Sequence, residues 1–151
     1  MKLIAALALT VSMALGQQLT TRKAMTLAVA KKIAAAAEAE AAKTGLTMVI
    51  CILDEGGNLV YLERMDETQT GSIDVAQAKA QSAIKFKRPT KAFEDALVGG
   101  RQAILKLPGA MPVEGGVPLT VDGKIVGAIG VSGGTSAQDG VVAAAGIKAL
   151  N

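Results

Sequence analysis

The stretch Val117-Pro118-Leu119-Thr120-Val121-Asp122-Gly123-Lys124-Ile125-Val126-Gly127-Ala128-Ile129-Gly130-Val131-Ser132 decides the fold. Aliphatic and β-branched residues fill both flanks, and Asp122-Gly123 is the two-residue sequence favoured in a type I′ turn, whose central positions both need positive φ. The pattern predicts strands at Val117 to Val121 and Lys124 to Ser132, paired as an antiparallel hairpin. The same plan recurs upstream. Met48 to Leu53 and Asn58 to Met65 read as strands around Asp54-Glu55-Gly56-Gly57, whose glycines give a second hairpin its turn.

Helices fill the intervals. Thr20 or Thr21 is expected to cap a first helix running to about Lys43, because Met25, Val29, Ile33 and Ala36 recur at helical spacing before Gly45 ends it. Ser72 is the expected cap of a second helix reaching about Phe86, with Ile73, Ala76, Ala80, Ala83 and Ile84 near one face and Arg88-Pro89 as the stop. Thr90 opens a short helix from Lys91 to Val98, closed by Gly99-Gly100. A loop rich in Gly and Pro spans 107–116, and a last helix starts at Ser136 and runs to about Leu150. Helix, hairpin, helices, hairpin, helix is the order of an α+β domain in which helices cover an antiparallel sheet.

Composition narrows the function. The chain has 151 residues, 50% apolar and 19% charged, which suits one packed core and disfavours disorder. It has no Trp, one Tyr and two Phe, so the aromatic platforms of single-strand nucleic-acid binding are missing. The net charge of +3 is dispersed, and the tight basic groups Lys31-Lys32 and Lys85-Phe86-Lys87-Arg88 read as solvated helix faces or ends. No nucleic-acid partner is expected. With no His, a Ser-His-acid triad around Ser132 is excluded by composition, and the commonest metal ligand is absent. Cys51 is alone, inside an apolar run, and reads as a buried thiol, with a soft metal or haem ligand as the alternative.

The first residues read as a targeting segment. Met1-Lys2 is positive, Leu3 to Leu15 is apolar on every face, and Ala14-Leu15-Gly16 places small residues where a signal peptidase reads, so cleavage is expected before Gln17. Residues 1–16 are then a signal peptide and 17–151 one mature domain. The apolar run falls short of the roughly 20 residues that span a bilayer, so no permanent membrane anchor is expected. The expected location is periplasmic or secreted.

Several groups could meet a ligand. Gly130-Val131-Ser132-Gly133-Gly134-Thr135 leads from a strand into a helix, where backbone N–H groups either form a glycine turn with its cap or dock a carboxylate. It lacks the Walker and dinucleotide glycine spacings. Lys79 lies among Ala76, Ala78, Ala80 and Ala83, an apolar surface where a charge needs a partner: a salt bridge to Asp66 or Asp74, or an anionic ligand. Arg64 offers a planar fork to the same chemistry. Asp54, Glu55, Glu63, Asp66 and Glu67 cluster by the first hairpin and read as solvated turn acids.

Leu53-Asp54-Glu55-Gly56-Gly57-Asn58-Leu59-Val60, Glu63-Arg64-Met65-Asp66 and Ala78-Lys79-Ala80, followed by Leu107-Pro108-Gly109, Gly115-Gly116-Val117-Pro118-Leu119, Asp122 to Gly134 and Gln138-Asp139, resemble the GlcG/HbpS family. The family also supplies the C-terminal part of PduO proteins. The resemblance covers essentially all of the mature chain, with its motifs in order. It implies a profilin-like antiparallel sheet of about five strands flanked by helices, assembled into homo-oligomers, with a link to haem binding or sequestration and to neighbouring glycolate-utilisation or sensor proteins. The function it implies is an exported haem- or tetrapyrrole-binding or scavenging protein with no assigned catalytic residue. A small-carboxylate sensing or accessory module and a haem-degrading enzyme are the alternatives. Haem iron is often held by His, which this chain lacks, so ligation would fall to Met65 or Met111, with Tyr61, Lys79 and Cys51 behind them, or the porphyrin would be held without a strong protein ligand. Arg64 and Lys79 would meet propionates. The ligand site implied is Arg64, Met65, Lys79, Met111, Gly115, Gly116 and Ser132, and Glu63-x-x-Asp66 is a loose analogue of the family's acidic iron-binding motifs.

Overall fold

The computed structural model describes residues 19–150. The elements run α1 (Leu27–Lys43), β1 (Val49–Asp54), β2 (Leu59–Arg64), α2 (Gly71–Phe86), α3 (Lys91–Val98), β3 (Gly116–Val121), β4 (Lys124–Ser132) and α4 (Ser136–Lys148), with a 3₁₀ segment at Gln102–Lys106. The strands form one antiparallel sheet in the order β2-β1-β4-β3. The expected α+β architecture is present, its four strands close to the five anticipated. Both hairpins form, and β1 joins them by pairing with β4 from Val49↔Ser132 to Asp54↔Gly127. Asp122 (φ 49°) and Gly123 (φ 72°) both stand in the left-handed region, as the type I′ turn demands.

Two helix starts differ from expectation. α1 begins seven residues after Thr20, capped by Thr26, whose Oγ1 accepts from the Val29 N–H at 3.3 Å. Thr20 and Thr21 precede the stripe Ala30, Ile33, Ala34, Ala37 and Ala41 that gives the helix something to bury. Ser72 is no cap; it lies inside α2, fully buried, and meets Ser132. α3 starts at Lys91 after Thr90 as expected, although the Thr90 hydroxyl makes no cap bond and accepts from the Gly116 N–H at 3.0 Å instead. The predicted signal peptide and its cleavage site lie outside the described residues.

The sheet is covered on both faces, which is why β1 is an unbroken apolar run. On one face Ile50, Ile52, Leu119, Ile129 and Val131 pack against the alanine stripe of α1 and against Val142 and Ala143 of α4. On the other, Val49, Cys51, Leu53 and Ala128 meet Ala76, Ala80 and Ala83 of α2. Few bulky rings are needed, because many close methyl contacts add up. The approach is closest at Gly116 and Gly130, which pair across β3 and β4. A Cβ on Gly130 would collide with the Ala76 carbonyl oxygen and stand 2.7 Å from the Ala80 nitrogen; one on Gly116 would collide with the Lys79 carbonyl. The α2 backbone therefore rests directly on the sheet.

Two bulges adjust the faces. Leu119 pairs with Gly127 and Thr120 with Ile125, leaving Val126 as an extra residue. Ile125 can then face α2 while Val126 turns to the opposite core. Val60 plays the same part in β2, between Tyr61 and Leu59.

Candidate functional site

At the end of β2, Arg64 is exposed and its Nη1 donates to the Thr68 carbonyl at 3.0 Å. Beside it Met65 is half-buried, its Sδ accepting a 3.4 Å contact from the Met48 N–H. The two line a groove of about 410 Å³ with Glu38, Thr47, Glu63 and Asp66. Tyr61 donates to Glu63 Oε2 at 2.7 Å, and that bond, with burial and the nearby carboxylates, pushes the phenol above its ordinary pKa. The Tyr61 hydroxyl is thus engaged within the wall of the groove. The other oxygen, Glu63 Oε1, is buried with no hydrogen-bond partner among the described residues. Three carboxylates and one guanidinium give this groove an excess of negative charge.

Lys79 is elsewhere and is occupied. Its Nζ donates to Asp139 Oδ2 at 2.6 Å and to the Val131 carbonyl at 3.0 Å, and the two side chains are only 1% and 3% exposed. Asp139 Oδ1 in turn accepts from the Gly134 N–H at 2.9 Å. Burial raises the Asp139 carboxyl above the ordinary carboxylate range, while the ammonium and the Gly133 and Gly134 amides pull the other way. The partner is neither Asp66 nor Asp74. Asp139 of α4 carried the same signal as Lys79, a charge leading into the small apolar run from Gly140 to Gly146, and pairing the two misfits would have found the bond.

The rest of the expected site is built around that pair. Gly115 (φ 125°) makes room for it, since a Cβ there would stand 3.0 Å from Lys79 Nζ and 2.8 Å from Asp139 Cβ. Gly116 lies under α2. Ser132 is buried, with its hydroxyl 3.3 Å from Ser72 Oγ. Met111 sits half-buried above α2, tied down by a 3.0 Å bond from its N–H to Ser82 Oγ. The structure therefore brings Arg64 and Met65 together at one groove, and puts Lys79, Gly115, Gly116 and Ser132 into a packed junction of α2, β3, β4 and α4. Among the described residues the groove at Arg64 does not include Lys79 or the Gly115-Gly116 loop, over which the α2 backbone rests directly on the sheet.

The start of α4 is also filled by its own chain. Thr135 Oγ1 accepts from the Gln138 N–H at 3.4 Å, Gln138 Oε1 accepts from the Thr135 N–H at 2.9 Å, and Gly134 serves Asp139. This capping box leaves the glycine turn as a cap and not a dock. Cys51 is buried in β1, and burial pushes its thiol up to about 12, far from the thiolate that metal ligation needs. Among the described residues no three Cys, Asp or Glu side chains gather to hold a metal ion, and no helix is long and apolar enough to cross a membrane.

An antiparallel sheet clamped between alanine-rich helices and riveted by a buried Lys–Asp pair defines a class of small α+β domain. The chain belongs to the family described as haem degrading protein HbpS-like, whose model matches residues 25–148. It is 39% identical over 112 residues to protein GlcG of Escherichia coli strain K12, a match covering 74% of this chain and 84% of that one. Among solved structures, protein ORFY of Klebsiella pneumoniae superposes with a TM-score of 0.83 at 30% identity, covering 91% of this chain and 97% of that one. A second, the complex of PduOC with haem, gives a TM-score of 0.78 at 28% identity over 85% of this chain and 96% of that one.

Proposed function

We propose that this protein binds haem or a closely related tetrapyrrole and acts as an exported scavenger or carrier. The observation that carries the reading is the likeness, in both sequence and fold, to PduOC, whose structure holds haem, within a family described by its link to haem. The donor set tests the fit. There is no His; Cys51 is buried, Lys79 is paired with Asp139, and the Tyr61 hydroxyl is bonded to Glu63. The thioethers of Met65 and Met111 remain, and Met65 lines an open groove next to the Arg64 guanidinium. A thioether is an accepted axial ligand of haem iron, and a guanidinium matches a propionate. Bound haem would supply redox-active iron, and this chain's part would be to hold Met65 on the end of β2 and to keep Arg64 aimed through Thr68.

Hemin titration with the Soret band as readout tests the proposal. Wild-type protein at micromolar concentration is expected to shift the band, and Met65→Ala to change its position or weaken binding several-fold; no shift with wild type removes haem as the ligand. Loss of bound haem absorbance over many turnovers with a reductant would turn the binder into the degrading enzyme that the family's description names. The export half of the proposal rests on the apolar run Leu3 to Leu15 and the small residues before Gln17. Mass spectrometry of exported protein should find Gln17 at the amino terminus; a retained Met1 contradicts it. Assembly into homo-oligomers completes the proposal, and a monomer by light scattering at high concentration counts against it.

A further inference from the structure

A second opening lies at the far end of the sheet, by the β3–β4 turn. It is a cleft of about 390 Å³ between the segment before α1, the Asp122-Gly123 turn and the C-terminal end of α2. Arg22, Lys23, Lys87 and Lys124 line it, with Glu55 as the one acid among them. Asp122 pairs with Lys23 at the rim. Four cations against Glu55 and Asp122 leave two positive charges unbalanced. Ile84, Ile125 and Val126 give the cleft apolar surface. Arg22, Lys87 and Lys124 make no hydrogen bond or salt bridge that holds their charged groups among the described residues, and the sequence offered for Lys87 only a solvated helix end.

We propose that this cleft binds a small dicarboxylate, its two carboxylates held by cations on opposite sides and its carbon chain laid on Ile84, Ile125 and Val126. The cations come from three separate elements, so they face a ligand whose two charges are apart. A phosphate group concentrates its charge at one point and is best held where several backbone N–H groups converge at a helix start. The helix end at this cleft is the carbonyl end of α2, whose dipole disfavours a concentrated anion. Lys87 is the C-cap of α2 and holds φ 53°, a conformation favoured by glycine, so the chain carries a long cation where the fold alone would suit Gly better. Two carboxylates offset two unbalanced cations, and the 390 Å³ of space suits a short chain between them.

The site is separate from the Met65 groove, so the two readings fail independently. Isothermal titration of the wild-type chain with glutarate, backed by amide chemical-shift mapping, gives the direct test: shifts should concentrate at Lys87, Gly123, Lys124 and Ile125. Lys87→Glu/Lys124→Glu should weaken glutarate at least tenfold, while Lys31→Glu/Lys106→Glu, the same change of net charge on exposed positions outside the cleft, should leave it within twofold. The shift map needs no variant, so an unfolded double variant does not rescue or spoil the inference. Inorganic phosphate bound as tightly as glutarate, or shifts spread away from the cleft, overturns it. Protoporphyrin IX weakened by the same double variant, with its dimethyl ester unaffected, would give the cleft to the porphyrin's propionates and overturn the small-dicarboxylate assignment. Hemin binding untouched by the variant leaves the haem proposal standing at its own groove, and glutarate binding without any hemin binding leaves the cleft standing alone.

Discussion

Replacing Lys79 by Met should destabilise the protein by about 3–5 kcal/mol, the range found when one partner of a buried ion pair is removed. The structure locates the cost. Met fills the volume but leaves Asp139 Oδ2 without its 2.6 Å donor and the Val131 carbonyl without its 3.0 Å donor, both out of reach of water. Asp139 Oδ1 keeps its bond from the Gly134 N–H. Asp139→Leu should cost a similar amount, since it strands an ammonium in an alanine-lined interior. The double variant Lys79→Met/Asp139→Leu removes both charges and leaves only neutral groups unpaired, so it should lose far less than the sum, with a coupling energy of at least about 2 kcal/mol. Urea denaturation of the four proteins in one buffer measures the cycle. Additivity within about 0.5 kcal/mol would refute the view that the pair is buried and mutually dependent.

Gly130→Ala should lose about 3 kcal/mol or fail to fold, because its new methyl meets the α2 backbone at Ala76 and Ala80 and not a side chain that can move. A thermal melt indistinguishable from wild type would mean the helix is not seated there. Cys51 should resist thiol reagents in the native protein at neutral pH and react once denatured, since its thiol ionises only near 12. The folded pKa lies above the unfolded value of about 9, so this contribution to stability is intact below pH 9 and falls by about 1.4 kcal/mol per pH unit from there toward pH 12. Alkaline stability profiles of wild type and Cys51→Ala should diverge over that window, and parallel curves would count against it.

The fold was readable because its strongest signals are local. Asp122-Gly123 specifies a turn whatever surrounds it, and the apolar run of β1 is explained by cover on both faces. The helix starts were less readable: Thr20, Thr21, Thr26 and Ser72 offer the same chemistry, and only the position of the buried stripe selects among them. The site was harder again. Arg64 and Met65 are adjacent in sequence, and their sharing of a groove follows from that. Lys79 and Asp139 are 60 residues apart, so the need for a partner was visible in each while its identity depended on how β4 delivers α4 to the foot of α2. The cationic cleft was invisible, since Arg22-Lys23, Lys87 and Lys124 come from three elements and converge only when the sheet end closes.

The bond between Lys79 and Asp139 also dates itself within the folding reaction. Each hairpin can zip from its own short turn, but this bond closes only after β4 has found β1 and both helix layers have docked, a long loop to shut before any reward. Its energy should therefore be missing from the rate-limiting barrier to folding and present in the barrier to escape. In stopped-flow chevrons, Lys79→Met is expected to steepen the rate of unfolding many-fold while barely slowing refolding, which makes the pair a timer for how long the native state lasts.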